Sequence, residues 1–120
     1  MRIFKNAWFN RYARKERLTD EVLQRAVAQV EQGLLDADLG GSVIKQRIAR
    51  KGQGKSGGYR TIILYRQGDK AFFMYGFAKS DRDTLTEDEL IAFRKAAKEY
   101  LALSDEQIAQ LLETKALTEV

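Results

Sequence analysis

Between Asp38 and Asp69 the chain has no acidic residue, yet that stretch holds Lys45, Arg47, Arg50, Lys51, Lys55, Arg60 and Arg66. Its centre, Lys51-Gly52-Gln53-Gly54-Lys55-Ser56-Gly57-Gly58, is rich in glycine and offers no side chain to anchor it in a core. Cations gathered without counter-charge suit phosphate, because arginine forks grip its oxygens in pairs and lysines add point charges. Crowded cations also depress one another's ammonium pKa, so a lysine among them can serve as a base. The bland reading is a solvated charged loop, and composition alone does not choose between the two.

Gly54-Lys55-Ser56 imitates a nucleotide-binding P-loop but fails two of its requirements. Ala49 stands where a Walker A loop needs glycine, and the residues after Ser56 lead into an apolar, β-branched run instead of a helix whose N-terminus would face phosphates. Histidine and cysteine are both absent. Disulfides, thiolate catalysis and a zinc ribbon are thereby excluded, and proton transfer falls to Lys, Arg, Tyr, Asp, Glu or hydroxyl groups. The reading calls for no cofactor and no metal.

Charge is unevenly spread. Residues 1–80 carry 16 Lys and Arg against 7 acids and residues 81–120 carry 5 against 10, so the first part nets +9 and the tail −5. The basic part is expected to meet a polyanion. Met1 to Asn6 lacks the apolar run of a signal peptide, and no stretch approaches the ~20 apolar residues of a membrane span, so a soluble, cytoplasmic protein away from membranes is expected. A length of 120 residues predicts one domain, residues 1–120.

The elements that must position the cations are legible as patterns. Arg2 to Phe4 suits a short strand. Trp8, Phe9, Tyr12 and Ala13 recur at helical spacing up to about Arg17, leaving Arg11, Arg14 and Lys15 off the apolar face. Trp8 and Phe9 read as anchors of that helix, with base stacking as the other use of the rings. Thr19 is a suitable N-cap for a second helix with its stripe on Val22, Leu23, Ala26, Val27 and Val30, ended by Gly33. Val43 to Arg50 reads as a strand whose alternation puts Lys45, Arg47 and Lys51 on an outward face and Ile44 and Ile48 on the other, joined by a mobile cationic loop to a strand from Tyr59 to Arg66. Gln67-Gly68-Asp69 turns into a central strand, Lys70 to Phe77. Thr86 with Glu89 and Ser104 with Gln107 are capping boxes for two further helices, and residues past Thr114 are expected to fray.

Lys51 to Thr61, followed by the aromatic strand and Tyr75-Gly76-Phe77-Ala78-Lys79-Ser80-Asp81-Arg82, resembles the RelE/HigB-like toxins of type II toxin–antitoxin systems. The Trp8-Phe9 helix and the connector Leu34 to Gly41 resemble the same subgroup, and the resemblance runs to about Tyr100. It implies an α+β fold in which two N-terminal helices pack on a small, mainly antiparallel twisted sheet, with C-terminal helices beyond. It also implies a metal-independent endoribonuclease that cleaves mRNA in the A site of the 70S ribosome. The expected partner is a cognate antitoxin encoded beside it, often with a helix-turn-helix.

Carried over by position, Lys51 and Lys55 match the basic residues before the Gly-Tyr-Arg strand, Arg60 the arginine of that strand, and Lys79 a basic residue after the last strand. These four are the catalytic candidates, with Arg60 as phosphate clamp and transition-state stabiliser. Lys45, Arg47, Arg50, Tyr59 and Arg82 are candidates for RNA contact. Tyr59, Tyr65 and Tyr75 also read as packing residues, and Lys79 as a partner of Asp81 or Asp83. The chain departs from the family where RelE-type sequences carry an arginine and then a tyrosine: here stand Ser80 and Thr86, with Arg82, Asp81 or Tyr59 as substitutes.

Attack of RNA by its own 2′-hydroxyl needs only activation of that hydroxyl, charge stabilisation at phosphorus and protonation of the leaving 5′ oxygen, so histidine is dispensable. The alternative is a non-catalytic RNA- or ribosome-binding module that uses the same loop. A DNA-binding subunit fits less well, because no helix carries a row of basic and amide residues suited to the major groove. The acidic tail adds a self-shielding possibility in which Ser104 to Leu112 folds back over Lys51 or Arg60.

Overall fold

A computed structural model describes the chain except for residues 51–53, and describes residues 50 and 54–56 by backbone alone. The order is β1 (Arg2–Asn6), α1 (Ala7–Glu16), α2 (Asp20–Glu31), β2 (Ala37–Asp38), β3 (Val43–Arg50), β4 (Gly54–Arg66), β5 (Lys70–Ala78), α3 (Glu87–Leu101), α4 (Asp105–Glu113) and β6 (Leu117–Glu119). The strands form one sheet in the order β2-β3-β4-β5-β1-β6. Every pair is antiparallel except β1 with β5. The α+β class stands, but a strand precedes the two N-terminal helices and runs parallel beside the central β5.

Local sequence explains each helix. Asn6 caps α1 by accepting from the Phe9 amide at 2.7 Å, Thr19 caps α2, and both capping boxes close as their spacing predicts. The helices then cover the two faces of the sheet. Against α1 and α2 lie Ile48, Tyr59, Ile63, Ala71 and Phe73, packed on Phe9, Ala13, Leu23 and Val27. Against α3 and α4 lie Phe4, Val43, Ile62, Leu64, Phe72 and Phe77, packed on Ala97, Leu101 and Ile108.

Three expectations are corrected. The chain past Thr114 forms β6, which pairs with β1 and buries Leu117 to 1 % exposure. The open edge of β1 recruits it, and a bidentate Arg2–Glu119 pair at 2.9 and 3.0 Å holds it. The α4 helix packs on the core through Ile108, with Leu111 and Leu112 beside it, which removes the self-shielding possibility for the described residues.

The part of the expected loop that falls on residues 51–53 lies outside the described residues. From Gly54 onward the glycine-rich segment is strand and not loop, because β4 begins there. Gly58 permits this: a Cβ there would lie 2.2 Å from the Ile48 carbonyl oxygen, where the hairpin shifts register between Ile48 and Arg50.

A second irregularity decides which way β5 faces. Ile62 lies opposite Tyr75 while Ile63 lies opposite Phe73, so Met74 is an extra residue. Strict alternation from Phe72 would turn Tyr75 and Phe77 toward α1 and α2; the bulge turns them toward α3 instead. The Asn6 side-chain amide donates to the Met74 carbonyl at 3.0 Å and satisfies the bulged backbone.

Candidate nucleic-acid interface

On the α3 face the apolar cluster ends in step across three strands. One position beyond Val43 on that face stands Lys45, followed by Arg47; one position before Ile62 stands Arg60; one position beyond Phe77 stands Lys79. Arg47 is directly opposite Arg60, and Arg60 directly opposite Phe77. The Lys79 amide donates to the Gly58 carbonyl at 3.0 Å, which continues the ladder and sets Lys79 diagonally across from Arg60. The period of two along adjacent strands thus sets Lys45, Arg47 and Arg60 on one face, with the backbone of Lys79 at the same end of the sheet, one residue past β5. Lys51 lies outside the described residues, as do the side chains of Arg50 and Lys55.

The cations are not all turned outward, as the alternation of β3 alone suggested. Arg60 is only 5 % exposed, and its Nε lies 3.4 Å from Oδ2 of Asp36. The same oxygen lies 3.8 Å from Nζ of Lys45. One carboxylate from the connector before β2 therefore sits between two candidate phosphate ligands and offsets the repulsion between them.

That connector is fixed from beneath. Gln46, 2 % exposed, accepts from the Asp36 amide at 3.0 Å and donates to the carbonyls of Leu34 and Ala26 at 3.0 and 3.3 Å. Neither Asp36 nor Gln46 stood out in the sequence. Their only signal was an acid close to a basic strand, a pattern that most surface connectors share.

Two RNA-contact candidates sit elsewhere. Tyr59 points to the opposite face, where it is buried and donates to Glu16 at 2.9 Å; the alternation that directs Arg60 one way directs Tyr59 the other. Arg82 closes the turn into α3. It meets Glu89 through both terminal guanidinium nitrogens, donates to the Thr84 carbonyl, and lies over the Phe77 ring at 5.2 Å. The Arg82 hydrogen bonds, aided by the Thr86 amide, hold the Glu89 carboxyl down at about 2. Lys79 forms no ion pair with Asp81 or Asp83 among the described residues.

Arg47 is exposed on the strand beside Arg60, while the Arg60 and Lys45 cations share the Asp36 carboxylate. No group of His, Cys, Asp or Glu among the described residues could hold a metal ion, and no described helix is long and apolar enough to cross a membrane.

Comparison with known proteins bears on the same residues. The family model described as the RelE toxin of the RelE/RelB toxin–antitoxin system matches residues 1–120. No curated protein sequence matches the chain.

Proposed function

The chain belongs to the RelE toxin family, and from that membership together with the cationic rim we propose that it is a ribosome-dependent, metal-independent mRNA endonuclease. Family membership implies the coarser part, an mRNA-cleaving toxin with an antitoxin partner. What supports the finer part is the register that sets Arg47 opposite Arg60, with Lys45 two positions away on the strand of Arg47 and Lys79 just past the end of β5. Residues 1–120 act as one toxin domain in this reading. The antitoxin is a neighbouring-gene product with a helix-turn-helix.

In the proposed reaction the 2′-oxygen attacks the adjacent phosphorus and the bond from phosphorus to the 5′ oxygen breaks, leaving a 2′,3′-cyclic phosphate and a 5′-hydroxyl. The proton lost from the 2′-hydroxyl passes to a base, and the leaving oxygen gains one. Arg60 stabilises the charge that builds on the phosphorane, in a setting where solvent screens it little. Arg47 and Lys45 hold flanking phosphates, and Lys51, Lys55 and Lys79 share the proton transfers. A site this poor in conventional bases gains most from a substrate delivered in attack geometry, which is what a ribosome holding the message supplies.

Induced expression in bacteria tests the reading. Growth should stop and translated messages should be cut, and Arg60→Ala should abolish both without loss of the folded protein. Normal growth with abundant wild-type protein would overturn it. A second reading, a non-catalytic RNA-binding module, draws on the Asp36–Arg60 pair, which occupies the guanidinium. It predicts salt-sensitive binding of ribosomes with no cut product.

A further inference from the structure

The exposed face of α1 presents an aromatic and cationic surface that the cationic rim does not absorb. Trp8, Arg11, Tyr12 and Lys15 share one helical stripe and line an open pocket of about 250 Å³. Phe9, fully buried on the core side, already anchors the helix. Trp8 is 38 % exposed, so the fold does not need it inside.

It is nonetheless held in place. Its ring stacks on Tyr12 at 5.0 Å and leans on Tyr75 at 4.7 Å, so the exposed part of the side chain rests on two other rings. Arg11 and Lys15 flank it, and neither makes an ion pair or side-chain hydrogen bond among the described residues. Arg14 and Arg17 are also exposed at the C-terminal end of the helix. The helix's one acid, Glu16, is engaged with Tyr59.

Ring contacts link this surface to the α3 face. Tyr75 wraps from Trp8 onto the α3 face, where its ring lies 6.0 Å from that of Phe77, the residue opposite Arg60. Phe77 is buried, and Arg82 lies over the Phe77 and Tyr75 rings at 5.2 and 5.9 Å, so a strand of nucleotides running from the rim to Trp8 would cross the Arg82 guanidinium. We propose that the Trp8 face of α1 binds single-stranded message beside the cut, with an unstacked base seated in the aromatic pocket and the flanking phosphates on Arg11 and Lys15. Aromatic platforms rimmed by cations favour unpaired over paired RNA, because only an unpaired base offers a free ring to stack. The proposal rests on the ribonuclease reading and adds to it where the substrate runs.

Trp8 is the chain's one tryptophan, so its emission reports this face alone. The experiment titrates the full chain with a fluorescein-labelled single-stranded 12-nucleotide RNA, following both Trp8 emission and RNA anisotropy. Saturable quenching of Trp8 should track the anisotropy. The variant Arg11→Glu/Lys15→Glu should weaken binding at least tenfold and flatten the log–log salt slope by about 1.4, two phosphate contacts at roughly 0.7 each. Its melting temperature should match the wild type. On programmed ribosomes it should raise KM and leave kcat unchanged.

RNA bound with Trp8 unquenched and the double variant inert would overturn this site while the ribonuclease reading stood. Equal quenching by a duplex of the same sequence would overturn it too, assigning the face to structured ribosomal RNA. Absence of both RNA binding and cleavage by the wild type in a translating extract would overturn the ribonuclease reading, and this site with it.

Discussion

Replacing Asp36 by alanine strips Arg60 of its only carboxylate partner among the described residues, and the geometry bounds the cost. At 3.4 Å and an effective dielectric near 20 the pair's Coulomb energy is about 5 kcal/mol, a ceiling from which desolvation subtracts most. Arg60's side chain is 6 % exposed and that of Asp36 27 %, so the pair lies between a surface bridge and a fully buried one. The expected loss for Asp36→Ala is about 2–3 kcal/mol, below the 3–5 typical of a buried pair broken on one side.

The sharper measurement is a cycle of Asp36→Ala, Arg60→Ala and the double variant, unfolded in urea at pH 7. The double variant should be more stable than the sum of the singles implies by about 1–3 kcal/mol, since removing both charges leaves neither unpaired. Raising salt to 1 M should leave most of that coupling, because a shielded pair is screened little. Single losses that add within ~0.5 kcal/mol would refute the claim that this carboxylate and guanidinium act on each other.

Gly58→Ala should cost at least ~2 kcal/mol in denaturant unfolding, because the new methyl meets the Ile48 carbonyl oxygen at 2.2 Å and backbone must yield; an unchanged midpoint would show that β3 and β4 do not approach as described. Leu117→Ala should cost about 2–4 kcal/mol, as for a fully buried leucine, whereas a fraying terminus would lose nothing.

Glu89 is held at about 2 against an ordinary 4.5, so its pairing with Arg82 stabilises the fold fully above pH 4.5 and that contribution vanishes as pH falls through 2. Glu89→Gln keeps the capping box and removes the charge. It should cost about 0.5–1 kcal/mol at pH 7, given the partial exposure of both partners, and flatten the loss of stability between pH 4.5 and 2. Identical acid-unfolding curves for the two proteins would contradict it.

What was legible in the sequence was local. Thr19, the two capping boxes and the stripe of α2 act within a few residues of themselves, and each helix formed where those residues place it. The pairing of the two basic strands was legible too, since alternation and a hairpin suffice to lay the strand of Lys45 and Arg47 beside that of Arg60.

The misreadings concern groups that act across the sheet. The space at Gly58 is set by a carbonyl on another strand, so glycines that look like a loop belong to a strand. Leu117 to Glu119 is too short to declare itself, and becomes a strand because β1 has an edge to offer. Asp36 is an ordinary connector acid until folding brings it against Arg60.

The extra residue at Met74 gives β5 slack at one point. A chain shortened by that residue could close its pairing with β4 into unbroken alternation, with Tyr75, Phe77 and Lys79 still on the side of Arg60. Losing any other residue between Phe72 and Lys79 would draw on the same single reserve, and an added one would find none. Length variation among related chains should therefore concentrate at this position, where the fold can absorb a missing residue without turning Tyr75 and Phe77 off the face they share with Arg60.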